Sequence, residues 1–145
     1  MAVFQLLYVS GATRAMTGDD LDDILETSRR NNAGRDVTGV LLYAEDTFIQ
    51  VLEGECSVVQ ALARRIRGDG RHRNFMVLVE REAEIRAFGA WQMAFKRLDP
   101  SRASDNAVFE LSREALAKRM AGDEGGMMLD TILAFAGNDF VQKAG

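Results

Sequence analysis

The chain has 145 residues, 47% of them hydrophobic, enough for one ordinary domain and a short appendage. Its formal net charge of −4, with 18 Lys and Arg scattered along the chain, argues against general nucleic-acid binding. One cysteine, Cys56, excludes an internal disulfide framework, and one histidine, His72, leaves no zinc constellation; Cys56 reads as a small buried residue. No apolar run approaches the roughly 18 residues that span a bilayer, and no basic region with a signal-peptide core opens the chain. The expectation is a soluble cytoplasmic protein without membrane or metal partners.

Val3 to Val9 is predicted as a strand. A helix follows over about residues 18 to 33: Thr17 caps an N-terminus rich in Asp19, Asp20, Asp22 and Asp23, and Gly34 supplies the stop. Strands are predicted at about 37 to 43 and 47 to 53, joined as a hairpin through Tyr43 to Thr47. Val58, Val59, Leu62 and Ile66 recur at helical spacing from Ser57 to about Asp69, where Gly68 to Arg71 break the pattern. Phe75 to Glu80 is rich in strand formers, and a last strand is predicted to contain Trp91, Met93 and Phe95. This order predicts an α+β, ferredoxin-like βαββαββ fold with a five-stranded mixed sheet and two helices on one face, because right-handed crossovers place both helices there.

Pro100 ends that pattern. Val108, Leu111, Ala115, Leu116 and Met120 form one apolar stripe, and Met127, Met128, Leu129, Ile132, Leu133 and Phe135 another after Gly122 to Gly126. Two C-terminal helices covering the sheet's other face are expected, which divides the chain into a domain over 1–98 and a helical cap over 99–145. Spare apolar surface on that cap is also suited to docking a partner.

Certain polar residues sit where this pattern demands apolar ones. In the first helix Leu21, Ile24, Leu25 and Ser28 form the buried stripe, and the stripe runs straight into Asn31 and Asn32. A buried amide without partners costs roughly 1–3 kcal/mol, so the pair calls for either a polar network or a ligand with hydrogen-bonding edges. On the first strand Phe4, Leu6 and Tyr8 share a face, and on the third Phe48, Gln50 and Leu52 do. A glutamine amid apolar neighbours is costly unless satisfied, and a ferredoxin-like order makes these strands neighbours, with Tyr8 within reach of Gln50.

Together these residues resemble the BLUF domain, a blue-light sensor that uses a flavin. The matching pieces are Leu6-Leu7-Tyr8-Val9-Ser10, Asn31-Asn32 through Thr38-Gly39-Val40-Leu41-Leu42-Tyr43, and Phe48-Ile49-Gln50-Val51-Leu52-Glu53-Gly54, completed by Arg71-His72 and Trp91-Gln92-Met93. The resemblance covers about residues 2 to 98, and its joint occurrence in order is specific where each fragment is weak. It implies that the isoalloxazine ring of FAD, or of FMN or riboflavin, lies between the two helices. Asn32 would hold the ring's polar edge with help from Asn31, and Gln50 would sit between the flavin and Tyr8. Ile24, Ser28 and Phe48 would line the ring, with Arg65, Asp69, Arg71 and His72 around the ribityl chain or phosphates. The absence of a glycine-rich phosphate loop would leave an adenosine end largely in solvent.

The resemblance also implies a mechanism. Light would make the flavin an oxidant, Tyr8 would pass it an electron and a proton, and Gln50 would emerge rotated or tautomerised with a red-shifted absorption. Trp91 and Met93 would change packing and carry the change to the last strand and the cap. No catalytic residue is expected. The implied effector is a separate protein, such as a cyclic-dinucleotide enzyme or a transcriptional regulator, together with homo-oligomerisation. Rival readings are an acylphosphatase-like hydrolase on the same fold, a flavin-dependent redox enzyme, and a purely structural oligomerisation domain. The hydrolase lacks a glycine-rich phosphate cradle in Ser10 to Ala15, and the redox enzyme lacks a nicotinamide fingerprint.

Overall fold

Three segments with few polar side chains become strands buried on both faces: β1 (Val3–Ala12), β2 (Thr38–Ala44) and β3 (Thr47–Gly54). The computed structural model describes residues 3–44, 46–88, 93–99, 101–103, 105–107, 110, 129, 130 and 132. Helix α1 (Gly18–Ala33) follows β1, helix α2 (Cys56–Arg67) follows β3, and β4 (His72–Ala83) and β5 (Ala94–Arg97) complete the order. The described strands form one sheet in the order β4-β1-β3-β2-β5, antiparallel except where β5 runs parallel to β2. The ferredoxin-like α+β expectation is met.

Each helix begins where its cap dictates. Asp20 N–H donates to Thr17 Oγ1 at 3.1 Å and Thr17 N–H donates to Asp20 Oδ2 at 2.9 Å, a reciprocal box that starts α1. Glu55 accepts from the backbone N–H groups of Ser57 and Val58, both at 3.2 Å, and starts α2. Cys56 is the first residue of α2 and is exposed, contrary to the buried role expected of it. A first-turn position lies outside the apolar stripe that Val59, Leu62 and Ala63 bury.

The period-two alternation of the central strands builds two cores. Leu6, Tyr8, Leu41, Tyr43, Phe48 and Leu52 face Leu21, Ile24 and Leu25 of α1 and Val59, Leu62 and Ala63 of α2. Leu7, Val9, Val40, Leu42, Ile49 and Val51 form the opposite core, joined by Phe88, Leu98, Leu129 and Ile132. Leu129, Asp130 and Ile132 are helical, so this part of the tail covers the sheet's second face as expected. Val108, Leu111, Ala115, Leu116, Met120, Met127, Met128, Leu133 and Phe135 lie outside the described residues.

Two strands differ from their predicted bounds. β4 extends to both sides of Phe75 to Glu80 because it pairs with β1 from Val3 opposite Ala83 to Ala12 opposite His72. As an edge strand it tolerates the exposed Arg73, Asn74, Glu80 and Glu82, which conceal it from a hydrophobicity pattern. β5 begins at Ala94, paired with Val40, so Met93 stands just before the strand; Arg29 takes its carbonyl. Trp91, expected on that strand, lies outside the described residues.

Gly39 shows how tightly β2 and β3 approach. A Cβ there would stand 1.9 Å from the Val51 carbonyl oxygen, which is backbone and cannot yield. Gly39→Ala is therefore expected to cost about 3 kcal/mol or more in urea unfolding. Gly34→Ala, at φ −74° with nothing within 4 Å of its Cβ, should be neutral or slightly stabilising. Equal midpoints for the two variants would contradict this account of the strand pair.

Candidate functional site

Between α1, α2 and the sheet lies an open cavity of about 180 Å³. Helix α1 contributes Ile24, Ser28, Asn31 and Asn32 from one side, α2 contributes Leu62, Arg65 and Ile66 from the other, and Tyr8, Leu41, Phe48 and Gln50 form the floor. Asp69, Arg71 and His72 complete the wall where α2 turns into β4. Every residue expected in a flavin pocket thus borders one space. Thr27, Leu41, Leu62 and Ile66 also line it; in the sequence Leu62 and Ile66 recur at helical spacing and Leu41 falls on a predicted strand, and nothing marks any of the four as a lining residue.

The floor is deeply buried and polar at one end. Tyr8 is 1%, Asn32 1% and Gln50 3% exposed. Antiparallel pairing places Tyr8 directly opposite Gln50, and the Tyr8 hydroxyl donates to Gln50 Oε1. Gln50 Nε2 donates to Met93 Sδ at 3.3 Å, so one carboxamide joins the phenol to the residue that precedes β5. Burial, helped by the negative charge of Asp69, raises the Tyr8 pKa far above that of a free phenol. Tyr8 therefore remains a neutral donor, stacked on Phe75 with ring centroids 4.4 Å apart. Asn32 also ends α1 from its backbone, where its carbonyl accepts from Arg35 and Val37, both at 3.1 Å.

The rim carries the charge. Arg71 donates to Asp69 through Nε at 3.0 Å and Nη2 at 2.6 Å, and the Arg71 backbone N–H adds a bond at 2.9 Å. Hydrogen bonds from Arg71 bring the Asp69 carboxyl down to about 2. A guanidinium committed in this way presents mainly its remaining N–H groups to the cavity. The exposed Arg65 on α2 stands beside the same space. His72 shares a 2.7 Å hydrogen bond through Nδ1 with Ser10 Oγ and lies 4.7 Å from the Phe48 ring centroid. Ser10, Gly11 and Ala12 belong to β1, so the first half of the segment that a hydrolase would need as a phosphate loop is strand. Among the described residues no group of three or more His, Cys, Asp or Glu side chains is placed to hold a metal ion, and no helix is long and apolar enough to cross a membrane.

With this geometry in place, comparison with known proteins is specific. A family model described as BLUF, sensors of blue-light using FAD, matches residues 3–94. The chain belongs to the BLUF family of blue-light sensors. The photoactivated adenylate cyclase subunit beta of Euglena gracilis is 46% identical over 67 residues, 46% of this chain and 8% of that protein. This chain thus corresponds to a small part of that relative's length. The BlsA ground-state structure superposes with a TM-score of 0.73 at 28% identity over 92% of this chain and 88% of that one. The Klebsiella pneumoniae BlrP1 structure, in complex with manganese and cyclic diGMP, superposes with a TM-score of 0.64 at 29% identity over 77% of this chain and 28% of that one.

The histidine of this wall sets an acid limit on stability. Burial holds His72 down to about 4, from an ordinary 6.5, against the opposing pull of Asp69. The unfolded chain takes up this proton first, so the contribution is complete above about pH 6.5 and is lost as pH falls towards 4. The urea midpoint should fall across that window, and His72→Asn should flatten the fall. The Asp69 contribution is lost only below its ordinary 3.8, which keeps the two effects apart. An unaltered pH profile in His72→Asn would reject this assignment.

Proposed function

We propose that the cavity binds the isoalloxazine end of FAD and that the protein works as a blue-light switch driven by Tyr8 and Gln50. The observation that carries this reading is the juxtaposition of the Tyr8–Gln50–Met93 chain with the floor of a cavity of the right chemistry. Apolar walls from Ile24, Leu41, Phe48 and Leu62 suit a flat ring, and the amides of Asn31, Asn32 and Gln50 suit an edge that alternates donors and acceptors. Arg65 and the uncommitted N–H groups of Arg71 suit phosphates, which favours FAD or FMN over riboflavin. A bound oxidised flavin supplies a strong one-electron acceptor when it absorbs blue light.

The protein's own part follows from the hydrogen bonds. Tyr8 is the electron donor, and because burial forbids a charged phenol its proton leaves with the electron along the bond to Gln50 Oε1. Return of both restores Tyr8, so nothing is consumed. Gln50 can exchange its donor and acceptor ends without moving β3, which alters its contact with Met93 and thereby the entry to β5. Residues 99–145 serve as cap and output segment. The effector is a separate protein, such as a cyclic-dinucleotide enzyme or a transcriptional regulator, engaged by population shift within a homo-oligomer; similarity to an adenylate cyclase subunit and to a structure in complex with cyclic diGMP supports the cyclic-nucleotide class.

Absorption spectra in the dark, after blue light and during dark recovery test this directly. Oxidised-flavin bands that move to the red and return are expected, and Tyr8→Phe and Gln50→Ala should each abolish the movement. Asn32→Ala should weaken flavin retention about tenfold, equivalent to about 1.4 kcal/mol for one lost hydrogen bond. Bleaching to an adduct, or a protein that takes up no flavin on reconstitution, would overturn the reading.

A further inference from the structure

Met93 is gripped from two directions. Its sulfur accepts from Gln50 at 3.3 Å, while its backbone carbonyl accepts from both Nε and Nη2 of Arg29, at 3.1 and 2.9 Å. Arg29 follows Ser28 on α1 and precedes Asn31 and Asn32, so the helix that walls the cavity also holds the backbone immediately before β5. Arg29 itself lines no part of the cavity. Its guanidinium is partly buried, and a planar fork that places two N–H groups on one oxygen defines direction as well as distance. Farther upstream, Ala87 and Phe88 N–H each donate to the buried Glu53 carboxylate at 2.7 Å, which fixes the chain after β4 to β3.

We propose that Arg29 is a positioning residue of the light response, the pivot that turns a change at Gln50 into a displacement of β5; this rests on the photoreceptor reading. A thioether sulfur only accepts, so a Gln50 amide with its ends exchanged presents oxygen to Met93 Sδ and the contact is lost. With the Met93 carbonyl held by Arg29, the freed side chain swings about a fixed backbone point. Its motion then passes into Ala94, the first residue paired with β2. Without Arg29 the backbone yields locally. The strand receives little, and Met93 no longer opposes the return of Gln50.

The test compares flavin content, red shift, dark recovery and light-minus-dark infrared amide I bands in the full chain. Arg29→Ala should keep the flavin and the red shift, recover at least fivefold faster, and lose more than half of its amide I difference signal. Arg29→Lys, which keeps one charged donor, should fall between the variant and the unsubstituted protein, and it supports the same comparison if Arg29→Ala does not fold. A lowered melting temperature with recovery and amide bands unchanged in either variant would overturn the proposal and leave Arg29 a structural strut. An unsubstituted protein that binds flavin but shows no red shift would remove the photoreceptor reading and this one with it.

Discussion

The carboxamide of Gln50, buried between a phenol and a thioether, is the contact on which the rest of the site depends. Its position follows from the β1/β3 register, which sets Tyr8 against Gln50 and Leu6 against Leu52. A one-residue slip would turn every side chain of β3 to the opposite face, setting Ile49 or Val51 against Tyr8 and bringing Glu53 to the cavity face. Both faces of these strands are packed, so the slip would also disrupt the packing of two cores at once. Packing therefore enforces the alignment of the one polar pair that packing alone does not favour.

The second face of the sheet balances its polar groups differently. Glu53 is fully buried, yet its carboxylate accepts from Gln5 Nε2 at 2.8 Å, Thr38 Oγ1 at 3.3 Å and the Ala87 and Phe88 N–H groups. Arg81 extends this set by donating to Gln5 Oε1 at 3.2 Å and by pairing with Asp130 of the tail at 3.3 Å. Lys96 of β5 lies 3.8 Å from Asp105, itself only 1% exposed. The tail is thus tied to the sheet by charge as well as by Leu129 and Ile132, and one of those ties sits on β5. β3 carries Gln50 on the cavity face and Glu53 on the tail face three residues apart. One strand therefore meets both the cavity and the anchor of the chain that leads to β5.

How much of this was legible in the sequence depended on which side chains could speak for themselves. The first helix announced itself through its cap and stripe, the second through its stripe and the glycines that end it, and the cavity residues through polarity in apolar context: Asn32 and Gln50 broke periodic patterns that were otherwise consistent. β4 spoke less clearly, because an edge strand exposes half of its polar residues and needs no alternation. The position of Met93 outside β5 was beyond any local pattern, since it is set by a guanidinium 64 residues earlier in the chain. Arg29 itself resembled any solvated arginine on a helix. Long-range hydrogen bonds to backbone leave no trace in spacing, and they decided the two features that hydrophobicity could not.

Buried polar residues on the two faces look alike in sequence: Gln5 and Glu53 interrupt apolar strands just as Gln50 does. What separates them is the company they keep. Gln5 and Glu53 spend their hydrogen-bonding capacity on one another, on Arg81, on Thr38 and on two backbone N–H groups, and they do not line the cavity between the helices and the sheet. Gln50 accepts from a tyrosine, donates to a sulfur that is a weak acceptor, and lines open volume. A network satisfied by strong internal partners is costly to rearrange, because any change leaves a buried group unpaired. An amide held by one strong and one weak partner beside a cavity loses less when its ends exchange, which suits a switch better than a structural brace.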